Sequence, residues 1–152
     1  MIQRIQTVYL FLASVACVAC MSMGIGRFYA DGGEPLGRLY NLWLTLSGGQ
    51  RSLSPWALFV ILLLCATLLL VNIFLYKRQV RQFRLCVFSL VLLVGWYAAY
   101  AALVWVDAKG MDAHFRPEWP AALPLVAIVL VCLGMRHIMK DILLLRSLDR
   151  LR

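Results

Sequence analysis

The sequence predicts an all-α membrane protein in which four transmembrane helices are followed by a basic, helical, cytoplasmic extension at the C-terminus. Of its 152 residues, 63% are hydrophobic and only 14% are charged, and the mean hydropathy is +0.83. These values lie outside the range of water-soluble domains. Four uncharged stretches each approach the roughly 20 residues that a helix needs to cross a hydrocarbon layer of roughly 30 Å. The segments between them are too short for a soluble catalytic domain, so residues 1–152 should form a single membrane domain.

The four spans are predicted at residues 7–26, 56–76, 85–106 and 119–135. The second should begin directly after Pro55, because the fixed φ of proline suits the first turn of a helix. The fourth begins in a proline-rich stretch and is therefore expected to start irregularly. The tail, residues 136–152, contains neither Gly nor Pro. We expect the tail to extend the fourth helix out of the bilayer or to lie against anionic headgroups, and docking onto a partner protein is the alternative.

The first span has an alternative interpretation as a cleaved signal peptide. It lies near the N-terminus, and a small residue precedes both Cys17 and Cys20, as at lipoprotein processing sites. Its uncharged run of 20 residues is longer than the roughly 7–15 residues of a signal-peptide core. We therefore expect a retained helix, and an intact mass that lacked the first 16 or 19 residues would indicate cleavage instead.

The distribution of Lys and Arg predicts the orientation in the membrane. Ten of the 15 basic residues lie at the N-terminus, in the connector between the second and third spans, or in the C-terminal tail. The other five lie in the loops of residues 27–55 and 107–118. Because the cytoplasmic flanks of short-loop membrane proteins carry the excess of positive charge, both termini should be cytoplasmic. The position of the charges at membrane edges also argues against nucleic acid as a partner.

The loop of residues 27–55 is the larger of the two outer loops, and a glycine pair bounds its apolar centre on each side. Residues 39–46 in that centre fit two patterns. Leu42, Leu44 and Leu46 alternate with other residues, as in a strand. The helical pattern consists of Leu39, Leu42, Trp43 and Leu46. The apolar face should lie on the outer membrane surface or cap the bundle, and a partner-binding strand is the alternative.

Small residues predict where the helices pack, because helices in lipid associate through close approach of their backbones. Such residues recur at intervals of about four in the first and third spans. We therefore expect these two spans to meet near the bundle axis, and we expect the leucine-rich second span to face lipid. The residues predicted to form the contact are Ala16, Cys20, Gly24, Gly95, Ala99 and Ala102.

Few residues have a pattern that is typical of catalysis or transport. Cys17 and Cys20 have the spacing of a thiol redox pair, so a membrane thiol redox protein is one alternative, although apolar surroundings disfavour the reactive thiolate. A small homo-oligomeric transporter or channel is another, although no charged residue lies within a predicted span. His114 and His137 fall on opposite sides of the membrane and cannot share a metal. We expect no catalytic residue, no cofactor and no metal site.

The leading hypothesis is a non-catalytic accessory or assembly subunit that acts by contact. Its expected partners are anionic lipid headgroups at the cytoplasmic face, and a larger membrane protein or a second copy of the chain. The guanidinium group suits phosphate or a partner's carboxylates, although basic residues that only set the orientation are the plain alternative. The residues predicted to make these contacts are Arg78, Arg81, Arg84, Arg146, Arg150 and Arg152.

Three stretches carry a resemblance to a known family: Met1–Leu10, Lys77–Cys86 and Lys140–Arg152. Together they resemble a family of small four-span proteins of unknown function found in Bacteroidetes, and the similarity runs from end to end. The resemblance implies a location in the bacterial inner membrane and a retained first helix. It supplies no activity.

Overall fold

The computed structural model describes residues 2–75 and 79–149. These residues form four α-helices, one 3-10 helix and five β-strands. The helices are α1 (Ile2–Ser22), α2 (Trp56–Phe74), α3 (Gln79–Met111) and α4 (Leu123–Asp149), and the 3-10 helix is Trp119–Ala122. The strands are β1 (Gly24–Tyr29), β2 (Pro35–Tyr40), β3 (Leu44–Leu46), β4 (Arg51–Ser52) and β5 (His114–Pro117).

The α-helices of the described chain are all long and apolar enough to cross a membrane. At a rise of 1.5 Å per residue, the 33 residues of α3 extend about 50 Å and the 27 residues of α4 about 40 Å. Both helices therefore continue past the predicted spans of residues 85–106 and 119–135. The helical continuation of the fourth span into the tail is confirmed as far as Asp149. Membrane insertion and orientation stay predictions.

The helices pack as a bundle in which each contacts its two neighbours in the cyclic order α1, α2, α3, α4. The closest packing joins α1 to α4, where the ring of Tyr9 stacks on His137 with centroids 5.7 Å apart. A Cβ at Gly134 would lie 3.7 Å from a methyl group of Leu10, which is an ordinary van der Waals distance, so this packing does not require glycine there. Between α2 and α3, Asn72 donates a hydrogen bond to the sulfur of Cys86 at 3.0 Å.

The predicted contact between the first and third spans is not the main packing of either helix in the described residues, because α1 and α3 each pack chiefly on α2 and α4. Trp96 is the largest of the buried residues of α3 in the described chain. Gly95 precedes it by one position, about 100° around the helix, and is exposed with no atom within 4 Å of where a Cβ would lie. Ala102 is also exposed and Ala99 is half-buried. On α1, Ala16 and Cys20 are buried.

The second span does not face outward more than the others. Only 17% of the apolar window of α3 is buried inside the protein, compared with 33% in α2. The leucines of α2 lie both in the interior of the bundle and on its surface. Leu62 and Leu69 are fully buried, whereas Leu63 and Leu70 are exposed. A run of leucines covers all sides of a helix, so its composition does not determine which side packs.

The expectation of an all-α fold is wrong, because the segments of residues 24–52 and 114–117 together form a five-stranded antiparallel sheet in the described chain. The strand order is β4-β3-β2-β1-β5, so β5, from the loop of residues 107–118, pairs with β1 from the loop of residues 27–55. Residues 39–46 form neither a helix nor one continuous strand. Leu42 lies in the turn between β2 and β3, and Leu39 pairs with Leu44 across this hairpin.

The first span ends earlier than predicted, because α1 stops at Ser22 and Gly24 begins β1. Gly24 therefore serves the sheet and not helix packing: a Cβ there would lie 2.6 Å from the guanidinium of Arg38. At Gly26 a Cβ would lie 2.1 Å from the ring of Phe115. Glycine is required at Gly26, because the ring of Phe115 from the neighbouring strand crosses over the backbone of β1, whereas at Gly24 the close atoms are the end of a flexible side chain.

One face of the sheet packs on the end of the helix bundle. Ile25, Phe28, Leu39 and Leu44 are buried and belong to the same apolar cluster as the interior of the helices. We call the opposite end of the bundle the distal end. By chain order it contains the beginnings of α1 and α3 and the ends of α2 and α4.

Candidate functional site

Every basic residue at the sheet end of the protein has a partner within the chain. Arg27 and Arg38 both pair with the carboxylate of Glu118, Arg38 at 2.9 Å. The other three cations lie over aromatic rings, which attract a positive charge through their electron-rich faces. The distances to the ring centroids are 5.5 Å for Arg51 over Trp43, 4.2 Å for Lys109 over Trp105 and 5.3 Å for Arg116 over Tyr29.

The distal half of the bundle carries basic residues that are exposed. None of them forms an ion pair or a cation–π contact with the residues that the structure describes. We call this set the distal basic face, and it consists of Arg81 and Arg84 on α3 and of Arg136, Lys140 and Arg146 on α4.

The distal basic face includes three of the six arginines that the sequence predicts as contact residues, Arg81, Arg84 and Arg146. The others, Arg78, Arg150 and Arg152, lie outside the described residues. Arg136 and Lys140 were not among the predicted contacts, although they lie four residues apart on the same helix as Arg146. Their spacing of about one helical turn is the signal that groups them.

Glu118 is the electrostatic centre of the sheet end. Its side chain is 20% exposed, and those of Arg27 and Arg38 are 46% and 43% exposed. Burial on its own would raise the pKa of Glu118, but the hydrogen bonds and charges of Arg38 and Arg27 outweigh it, so the pKa lies below its ordinary value. The hydrogen bond from Arg38 correspondingly raises the pKa of that guanidinium. These contacts connect β1 and β2 to the residue that follows β5.

Glu118→Gln should reduce the stability of the protein at neutral pH by about 1 kcal/mol, since two partly exposed ion pairs are lost. Because the pKa of Glu118 is lowered on folding, its contribution is fully present above the ordinary value of 4.5. It disappears as the pH falls through the lowered pKa. Denaturant unfolding of the detergent-solubilised protein at several pH values measures this. The difference between wild type and variant should shrink below pH 4.5.

The exposed Glu34, in the turn between β1 and β2, provides the control. Glu34→Gln should not reproduce the loss at neutral pH, because within the described residues Glu34 has no arginine partner. A loss for Glu118→Gln that stayed constant down to pH 3 would contradict the proposed ionic contribution.

A buried asparagine joins the sheet to the helices. Asn41, in the turn between β2 and β3, donates to the carbonyl of Cys20 at 2.6 Å and accepts from the indole N–H of Trp96 at 3.2 Å. The Cys20 carbonyl is in the last turn of α1, where such groups have no partner within the helix. Asn41 thus provides a hydrogen-bond donor for a carbonyl at the end of α1 and also positions Trp96. The apolar sequence around Asn41 did not predict this role.

Four of the cysteines in the described ranges are buried packing residues, whereas Cys132 is exposed. All five, which fall within the described ranges, are free thiols, and Cys17 and Cys20 are both fully buried. The sulfur of Cys20 accepts a contact from Asn41 at 3.7 Å. Complete burial leaves neither sulfur accessible to an exchange partner, which a dithiol needs for redox chemistry.

The histidines do not gather metal ligands in the described residues, where no group of three His, Cys, Asp or Glu side chains could hold an ion. His114 lies 3.0 Å from the carboxylate of Asp31 at the surface. His137 packs against Tyr9 in the bundle.

The distal half of the bundle contains a buried polar pair that the sequence did not predict. The amide of Gln6 on α1 donates a short hydrogen bond to the carboxylate of Asp141 on α4, and both side chains are at least 90% buried. Asp141 lies in the tail, where it interrupts an otherwise apolar face. Its spacing of three from Ile138, which is also buried, continues the inward-facing stripe of α4 and is the signal that could have revealed it.

The fold therefore defines a class: a bundle of four helices of membrane-spanning length and hydrophobicity, closed at one end by a small antiparallel sheet and basic at the other. The chain belongs to a family characterised by a domain of unknown function (DUF4293), whose sequence model matches residues 2–151. A comparison with curated proteins found no match.

Proposed function

We propose that this protein is a non-catalytic accessory or assembly subunit of a bacterial inner membrane that acts through its distal basic face. In this proposal the helices span the membrane, the sheet lies on the outer side, and both termini are cytoplasmic. The observation that carries the proposal is the contrast between the two ends. The basic residues at the sheet end are paired within the chain, whereas those of the distal basic face in the described residues are unpaired.

The physical argument concerns what an unpaired cation can bind. Arg and Lys that already contact a carboxylate or an aromatic ring gain little from a further partner, whereas exposed, unpaired ones remain available. Near an anionic membrane surface each is attracted by about 1 kcal/mol, and arginine's planar fork also binds carboxylates of a protein partner in two-point contacts. The excess of positive charge at this end also favours its placement in the cytoplasm.

The candidate partners share a negatively charged contact surface. They are anionic lipid headgroups, a larger membrane protein with acidic residues at its cytoplasmic edge, or a second copy of this chain. An accessory role agrees with the interior of the protein, whose buried polar groups bond elements of the fold to one another. Asn41 links the sheet to α1 and α3, and Gln6 links α1 to α4.

The test replaces Arg81, Arg84 and Arg146 together by Gln and follows what co-purifies with the full chain after gentle detergent extraction. We expect the triple variant to insert normally and to lose its co-purifying partner protein or anionic lipid, because all three positions are exposed. Loss of two or three attractive contacts of about 1 kcal/mol each corresponds to at least a tenfold weaker association.

The matched control replaces the three cations of the sheet end that lie over aromatic rings, Arg51, Lys109 and Arg116, by Gln. This variant loses the same charge but should keep the partner, because those cations are already engaged within the chain. If the partner co-purifies equally with wild type and with the variant in which Arg81, Arg84 and Arg146 are replaced, the proposal is refuted.

A further inference from the structure

A groove on the surface of the bundle separates α3 from α4 and has a volume of about 320 Å³. This is at the lower end of the roughly 300–1,000 Å³ that small-molecule sites occupy. The groove is open along one side, so its occupant reaches it from the surroundings of the bundle. Its lining comprises Phe83, Leu90, Cys132, Met135, Arg136 and Met139.

The spacing of the lining residues shows that the groove follows the helix axes. Phe83 and Leu90 are seven residues apart on α3, and Cys132 and Met139 are seven apart on α4. Seven residues make two helical turns, so each wall is a single helix face about 10 Å long. An extended, flexible, apolar chain fits such a trough. Met135 and Met139 suit it further, because methionine side chains adapt their shape to irregular apolar ligands.

Charge distinguishes this groove from an ordinary apolar depression. Arg136 is its one charged lining residue, and Arg84 and Lys140 directly follow the lining residues Phe83 and Met139 in the chain. All three cations are exposed and have no ion pair among the described residues. An apolar trough beside several unpaired cations matches a ligand with a hydrocarbon chain and a negatively charged head.

We propose that the groove binds an anionic phospholipid of the inner leaflet, with one acyl chain lying between α3 and α4 and the phosphate on the guanidinium of Arg136. Arg84 and Lys140 add positive charge beside the headgroup. The inference rests on the proposed function, since it requires that the distal half of the bundle lies at the cytoplasmic surface of a membrane. It goes beyond that proposal by naming one lipid site with a steric requirement.

The test measures lipid binding to the full-length protein by native mass spectrometry in detergent, with phosphatidylglycerol and phosphatidylcholine as probes. Wild type should retain phosphatidylglycerol preferentially. Arg136→Gln should weaken phosphatidylglycerol binding about fivefold, which corresponds to the loss of roughly 1 kcal/mol from one surface cation. Glycerol 3-phosphate, which has the phosphate but no acyl chain, should not compete.

A second pair of variants separates the groove from general charge attraction. Cys132→Trp fills the groove while leaving the cations in place, so it should abolish the preference for phosphatidylglycerol. Leu125→Trp adds the same bulk at an exposed apolar position of the same helix, outside the groove, and should bind lipid as wild type does.

Two outcomes would overturn the inference. If Cys132→Trp binds phosphatidylglycerol like wild type, the groove holds no lipid, although the distal basic face could still act by charge alone. If Cys132→Trp instead converts a dimer to a monomer, the groove belongs to an interface between two copies. Neither result would affect co-purification of a partner with the wild-type chain, so failure of this inference and failure of the proposed function are distinguishable.

Discussion

Trp96→Ala should be the most destabilising single substitution in the helix bundle. Trp96 is fully buried and is the largest such side chain in the described structure. Its ring stacks on Tyr100 at 5.1 Å and meets Tyr97 edge-on at 5.0 Å. Truncation of a buried Trp costs about 3–5 kcal/mol, and loss of the indole N–H also leaves the buried oxygen of Asn41 without its donor, at about 1–3 kcal/mol.

The consequence should extend beyond helix α3. Asn41 is in the turn between β2 and β3, so the attachment of the sheet to the bundle weakens together with the core. Denaturant unfolding followed by circular dichroism, with limited proteolysis of residues 27–55, measures the two effects. We expect a lower unfolding midpoint and faster cleavage of the sheet in Trp96→Ala than in wild type.

Two further variants make this prediction specific. Trp96→Phe keeps most of the ring and loses the hydrogen bond, so it should be intermediate. Trp105→Ala, on the same helix, removes a Trp that is 64% exposed and lies under Lys109, which should cost about 0.5–1 kcal/mol. Equal destabilisation by Trp96→Ala and Trp105→Ala would contradict the assignment of Trp96 to the core.

Gln6→Leu should destabilise the distal half of the bundle by about 3 kcal/mol. Asp141 is only 8% exposed. The substitution leaves its buried carboxylate without the amide that donates a hydrogen bond to it. Breaking a buried polar contact by removing one partner costs about 1–3 kcal/mol, and more when the remaining group is charged. Detergent-based unfolding by circular dichroism gives the value.

The double variant Gln6→Leu with Asp141→Leu decides whether the pair acts as a unit. Replacing both partners by apolar groups is nearly neutral when they satisfy only one another, so the double variant should be more stable than Gln6→Leu alone. Ser147→Ala, an exposed site on α4 whose hydroxyl only bonds its own helix, should be silent. Additive losses in the double variant would show that Gln6 and Asp141 act independently.

Local patterns in the sequence predicted the helices well and the sheet poorly. A run of about 20 apolar residues is a local signal, and each predicted span overlaps a helix of sufficient length and hydropathy. The strands are short, between two and six residues. Strand β5 pairs with β1 although Arg27 and its partner Arg116 are separated by most of the chain. No local periodicity in the sequence indicates that pairing, so the sequence did not predict a sheet made from two separate loops.

Contacts between residues far apart in the chain also explain why the roles of individual residues could not be predicted from the sequence. Gly24 and Gly95 are both small, yet one makes room for Arg38 within a sheet and the other is exposed. Small size shows that close approach is possible and does not show what approaches. Similarly, the positive charge of Arg27 and of Arg84 is equal in the sequence, but only Arg27 has Glu118 beside it.

The amino-acid sequence alone was enough to predict helices of membrane-spanning length, because hydrophobicity acts on each segment separately and needs no knowledge of its neighbours. The tertiary structure decided which residues face one another: Trp96 and not Gly95 in the core, Gln6 opposite Asp141, and five basic residues paired at one end while the distal basic face has no ion pair among the described residues. These features depend on contacts between residues far apart in the chain, which form only when the helices adopt their cyclic order and the two loops join into one sheet.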